Sequence, residues 1–107
     1  MTSHNTEQEL KDLAIRLGVP SHTASNIAHY VYNGGGYSNL GGFGTSLMSN
    51  DLFGTYNSAD SANYNAIKEI ISLIYNHCPM LSWGSMKKVN EWTGLNALNV
   101  KAFTQEV

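Results

Sequence analysis

The sequence predicts an all-α domain, a compact bundle of about five helices with a glycine-rich loop between helices 2 and 3. Three observations predict it. Apolar residues recur at helical spacing in successive segments, each segment is bracketed by residues that start and stop helices, and no stretch alternates apolar and polar residues as a half-buried strand would. At 107 residues and 42% hydrophobic content the chain is long enough for one core.

Asn5 or Thr6 can cap a first helix, with Glu7 and Glu9 at the positive end of its dipole and Leu10, Leu13, Ala14 and Leu17 on one face. Gly18 and Pro20 stop it. Ser21 is expected to cap a second helix with the stripe Ala24, Ile27, Ala28 and Val31, so that 1–32 forms a helical hairpin. Residues 33–44 (NGGGYSNLGGFG) hold six glycines in twelve positions, a density that costs too much backbone entropy for a helix and predicts a loop. The helical core is expected over 45–93. A third helix carries Phe43, Leu47, Met48 and Leu52. A fourth runs from a cap at Asp60 or Ser61 to Cys78, and its Ala66, Ile67, Ile70, Ile71, Leu73 and Ile74 cover more than one face, as a central core helix requires. Ser85 caps a short fifth helix with Val89 and Trp92 pointing inward, and 94–107 forms a C-terminal tail.

Only 13% of the residues are charged, the net charge is −2, and no Lys or Arg stands between Arg16 and Lys68. Duplex nucleic acid needs several cations against its phosphates, so a general DNA-binding role is disfavoured. A surface of Asn, Ser, Thr, Tyr and Gly instead suits close contact with a partner, because desolvating it costs less than desolvating ions. The single cysteine, Cys78, ends an apolar helical run and reads as a buried, inert thiol. No basic n-region followed by an apolar stretch is visible, and the expectation is a cytoplasmic protein without a membrane segment.

Groups that would carry chemistry are sparse. His22 and His29 lie about 10 Å apart on one helix, too far to share a metal, and no metal or cofactor is expected. Ser46, His77 and Asp51 could be drawn together on paper, but no nucleophile-elbow motif supports a triad; Asp60 reads more simply as a helix cap, and Asp51 as a group that ties its helix to a neighbouring backbone or side-chain donor. The expectation is a protein that is not an enzyme. The segment LGVPSHTASNIAHYV invites a helix-turn-helix reading with His22, Thr23, Ser25, Asn26 and His29 facing outward, though no cation is there to hold phosphate.

The second half carries a longer pattern. GGFGTSLMSNDL is followed by Ala59-Asp60, Asn63, Ile74-Tyr75-Asn76, Pro79, Trp83-Gly84-Ser85 and a KKVNEW segment ending at Trp92. In order and spacing this resembles a family of small phage and prophage proteins, over roughly residues 30 to 92, with departures at Gly42, Gly44 and Ser82. The resemblance implies a phage origin and carries no activity with it.

Physically, Asn50, Asp51, Asp60, Asn63 and Asn76 set polar groups beside core-forming residues. Phe43, Trp83 and the tyrosines offer flat faces, and helix starts near Phe43, Ser61 and Ser85 present N–H groups. Aromatic faces with hydrogen-bonding groups are what a nucleotide-type ligand asks for. Phe43, Ser46, Asn50, Asp51, Asp60, Asn63, Asn76, Trp83 and Ser85 are therefore the candidate ligand-binding residues. The leading expectation is counter-defence by sequestering a nucleotide-derived immune signal, in a homo-oligomer. The alternatives are an inhibitor that contacts a host or defence protein directly, and a helix-turn-helix regulator.

Overall fold

The structure, a computed structural model, describes residues 4–97; the tail positions Leu98, Val100 and Phe103 lie outside the described residues. Among the described residues there are seven α-helices and one 3₁₀ turn, and no strand: α1 (Glu7–Arg16), α2 (Ser21–Asn33), α3 (Tyr37–Met48), α4 (Leu52–Ser58), α5 (Ser61–Asn65), α6 (Ile67–His77), the 3₁₀ turn (Met80–Ser82) and α7 (Met86–Glu91). The all-α expectation holds, and a radius of gyration of 12.7 Å matches the roughly 13 Å of a folded chain this long.

Two expected helices are each split in two, which turns about five helices into seven. The third breaks at Asn50, whose left-handed φ of 66° ends α3, and at Asp51, whose Oδ1 accepts from the Gly54 amide at 3.0 Å and starts α4. The fourth breaks at Ala66, where the amide bonds the Asn63 carbonyl three residues back and the helix does not run through. Just before the break Asn63, a buried polar residue, is held by the Thr23 hydroxyl, which anchors α5 to α2. Asp60 caps α5 as expected, its Oδ1 accepting from the Asn63 amide at 2.8 Å.

The glycine-rich stretch is mostly helix. Extended loop geometry is confined to Gly34–Gly36, all at positive φ, and α3 begins at Tyr37. The glycines show instead as a break inside α3 at Gly41 (φ 73°), on either side of which the chain is helical. Burial of Leu40, Gly44, Thr45 and Met48 outweighs the entropy cost on which the loop reading rested. The second helix begins without the expected Ser21 cap: Pro20 occupies the cap position and makes no side-chain bond there.

The central helix is α2, not α6. Ala24, Tyr30 and Val31 are fully buried, with Thr23, Ile27, Ala28 and Tyr32 buried beside them, whereas α6 buries Ile67, Ile70, Leu73 and Ile74 and leaves Ile71 and Tyr75 exposed. Of the outward set expected of a reading helix, Thr23 is buried, Ser25 is half-buried, and His22, Asn26 and His29 are exposed. Its C-terminal carbonyls are closed by the segment after α7. The Val31 oxygen accepts from Trp92 Nε1 at 3.0 Å and from the Leu95 amide at 2.9 Å, and the Tyr32 oxygen accepts from the Asn96 amide at 2.8 Å. Val89 and Trp92 face the core, as their spacing predicts, and Ser85 caps α7 by accepting from the Lys88 amide at 3.2 Å.

Candidate functional site

With Tyr75 exposed on α6 and α4 lying alongside, the two helices leave a groove between them. Its floor is aliphatic (Leu47, Ile67 and Ile74), Tyr56 and Ile71 flank it, and Trp83 stands at one end. The enclosed volume is about 190 Å³. Trp83 is fixed by its indole N–H, which donates to the Cys78 carbonyl at 3.3 Å, and by the following amide of Gly84, which donates to the Met48 carbonyl at 2.7 Å. Tyr75 meets it with ring centroids 5.9 Å apart and planes tilted by 50°. The two rings make a corner open to solvent.

Polar groups gather where α3 gives way to α4. Asn50, left-handed and exposed, precedes Asp51, whose amide donates to the Ser46 carbonyl at 2.9 Å and whose own carbonyl accepts from the Thr55 hydroxyl at 2.6 Å. The turn is tight: a Cβ on Gly54 would stand 2.7 Å from the Ser46 hydroxyl. The Asp51 carboxylate accepts the Gly54 amide through Oδ1, and its Oδ2 also lies against Gly54, nearer to an added Cβ than the Ser46 hydroxyl is. Among the described residues no Lys or Arg lines the groove. Lys68 lies in an adjoining hollow that shares Tyr56, Ile67 and Ile71 with the groove, where Tyr56 and Tyr64 meet edge to face at 5.9 Å, and the Lys88 ammonium, which donates to the Met80 carbonyl at 3.3 Å, stands beside Gly84 next to Trp83.

The nine candidate residues do not form one site. Asn50, Asp51 and Trp83 line the groove, with Ser46 behind Asp51 as a backbone acceptor. Phe43, Asp60 and Asn63 line a second hollow of about 220 Å³ between α2, the Gly41 break and α5, where His22 Nε2 lies 3.4 Å from Asp60 Oδ2. Asn76 is exposed and turned back onto its own helix, donating to the Ser72 carbonyl at 3.0 Å, and Ser85 is spent on capping α7. Thr55, Ile71 and Tyr75 were not among the candidates. Ile71 and Tyr75 are four apart on a helix, a spacing that gives them a common face, and that is the signal that could have found them.

Among the described residues, no three His, Cys, Asp or Glu side chains converge as a metal would require. Burial pushes the Cys78 thiol up to about 12, so this sulfur is held as the neutral thiol and not as a nucleophilic thiolate. Among the described residues no helix is long and apolar enough to cross a membrane. No family model matches the chain, and no curated protein or solved structure matches it either.

Proposed function

We propose that this protein works by binding, and that the α4–α6 groove takes the base of a nucleotide-derived signal. One observation carries the reading: an aromatic corner (Tyr75 and Trp83) and an aliphatic floor share one groove with two polar lining residues, Asn50 and Asp51. A flat ring stacks on the corner and presents its hydrogen-bonding edge to the polar pair. A carboxylate accepts and cannot donate, so it selects rings bearing amino or imino N–H groups. Sequestration needs only this grip, and the resemblance to phage proteins supplies the setting, counter-defence inside a host cell.

A thermal-shift panel of nucleosides, cyclic oligonucleotides and ADP-ribose-type compounds tests the reading. A true ligand at a hundred times its dissociation constant adds about 2.7 kcal/mol of stability. Tyr75→Ala, at a position 71% exposed, removes the response while leaving the unliganded protein as stable as before. A flat response across the whole panel overturns the proposal.

A second reading, direct inhibition of a host or defence protein, draws on residues beyond the groove. Phe53 is 82% exposed, and Met80 and Leu81 are exposed as well. Large apolar side chains held in solvent are what anchor a protein interface. That reading predicts capture of one host protein, lost in Phe53→Ala and kept in Tyr75→Ala.

A further inference from the structure

We infer that the open side of the α4–α6 groove is closed by a second copy of this chain, related by a twofold axis, with Lys68 of each copy set against the Asp51 end of the other. The inference deepens the ligand-binding reading and rests on it only for the part Lys68 plays toward a ligand; the contact itself stands on the features of the surface.

The first feature is area. Leu52, Tyr56, Tyr64, Ile71 and Tyr75 are 63%, 47%, 59%, 49% and 71% exposed, and the groove and its adjoining hollow join them into one surface through Tyr56 and Ile71. At roughly 200 Å² for a large side chain, these five alone leave on the order of 600 Å² in water. A standard interface takes about 800 Å² from each partner, and about 600 Å² is the upper end of the largest apolar patch on a typical monomer, a patch that is often functional.

The second feature is charge. Among the described residues the two hollows are lined by one acid and one base, at opposite ends. Asp51 stands at the Tyr75–Trp83 end, and Lys68 borders the far hollow, seven residues before Tyr75 and so about 10 Å away along α6. A twofold contact is self-complementary, each patch meeting its own image. Turning the surface about an axis near Ile71 lays Lys68 on Asp51 twice. A parallel arrangement sets acid on acid and base on base, so the charges choose the antiparallel one. Closure in this sense also adds Lys68 to Lys88, already beside Gly84, at the end where phosphate oxygens of a bound nucleotide would emerge.

Sedimentation velocity and native mass of the full chain, without nucleotide and at micromolar concentration, are expected to give twice 11.7 kDa. Ile71→Asp, at a half-exposed position that the fold does not need, is expected to give a folded monomer by circular dichroism. Lys68→Glu is expected to weaken dimerisation by at least about tenfold, since it sets like charges together. Asp51→Asn in the same chain relieves that repulsion and keeps the helix cap, so the double variant regains the dimer. The inference is overturned by a monomer at every concentration, by a dimer indifferent to both Ile71→Asp and Lys68→Glu, or by a monomer that uses this face for a host protein. A dimer that ignores all nucleotides keeps the inference and ends the ligand reading. A monomer that binds one does the reverse.

Discussion

The Tyr30 hydroxyl donates to the Ser82 carbonyl at 2.7 Å, tying the buried centre of α2 to the 3₁₀ turn 52 positions further along the chain. Both residues are fully buried, so neither end of the bond can turn to water instead. The same turn leads into Trp83, so the bond holds the wall of the groove against the core. Tyr30→Phe keeps the ring and its packing but strands the Ser82 oxygen. A buried acceptor left unpaired costs about 1–3 kcal/mol, and urea unfolding of the two proteins is expected to differ by that amount. Equal midpoints would show that the turn is held by other contacts.

Two glycines make opposite predictions. Gly94 has φ 97°, and a Cβ there would lie 2.7 Å from Asn33 backbone atoms, with the Tyr32 carbonyl nearer still. Gly94→Ala therefore pushes the 92–96 segment off the end of α2 and breaks the bonds to Val31 and Tyr32, a loss of several kcal/mol on the scale of about 1 for each hydrogen bond and more for the strain. Gly42 is helical, and a Cβ there meets nothing within 4 Å. Gly42→Ala restricts the unfolded chain without straining the folded one and is expected to stabilise by about 0.4–1 kcal/mol. Melting temperatures that fall in both variants would refute the second half of this pair.

The sequence makes the helices legible because caps and apolar spacing are local signals. Thr6, Asp60 and Ser85 cap where their positions predict. The break at Asn50 is carried by local groups, the left-handed Asn50 and the Asp51 cap, that the apolar spacing runs across, whereas the α5 side of the break at Ala66 is anchored by the Thr23–Asn63 bond between positions forty residues apart. The glycine-rich stretch misleads for a related reason: propensity counts the entropy cost of Gly44, whereas the burial that offsets it comes from packing elsewhere in the chain. For the site, Asn50, Asp51 and Trp83 are visible as polar or aromatic residues in a pattern. Ile71 and Tyr75 are hidden inside what reads as a core helix. An α6 buried on one side only looks, in sequence, like one buried all round.

Cys78 gives a chemical prediction. The residue is 6% exposed and its thiol pKa is pushed up to about 12 by burial, which denies it the thiolate that would attack alkylating reagents and disulfides. Under native conditions the protein is expected to resist Ellman's reagent, and in denaturant it should release one equivalent at once. Rapid stoichiometric labelling of the folded chain would mean that the end of α6 opens far more readily than the packing around Cys78 implies.

Acid should loosen the packing around His4. Its ring is buried, with Nε2 facing the His77 carbonyl at 2.8 Å and Nδ1 facing the Tyr32 hydroxyl at 2.7 Å. A neutral ring with its proton on Nε2 satisfies both: it donates to the carbonyl and accepts from the tyrosine. Burial lowers the pKa of His4 below its ordinary 6.5, helped by the nearby His77 ring and opposed by the bond to the His77 carbonyl and by Glu9. Above 6.5 folded and unfolded chains are both neutral here, and this group adds no pH dependence. As the pH falls through 6.5 the unfolded chain takes up a proton that the folded chain refuses, so stability declines until the folded pKa is passed and then levels off. Urea midpoints for the native protein and for His4→Gln, measured between about pH 7 and pH 5, should diverge, the native protein losing more. The comparison cancels the exposed pairs His22–Asp60 and His29–Glu7, which both proteins share. If the two curves ran parallel, the buried imidazole would not be the acid-sensitive group.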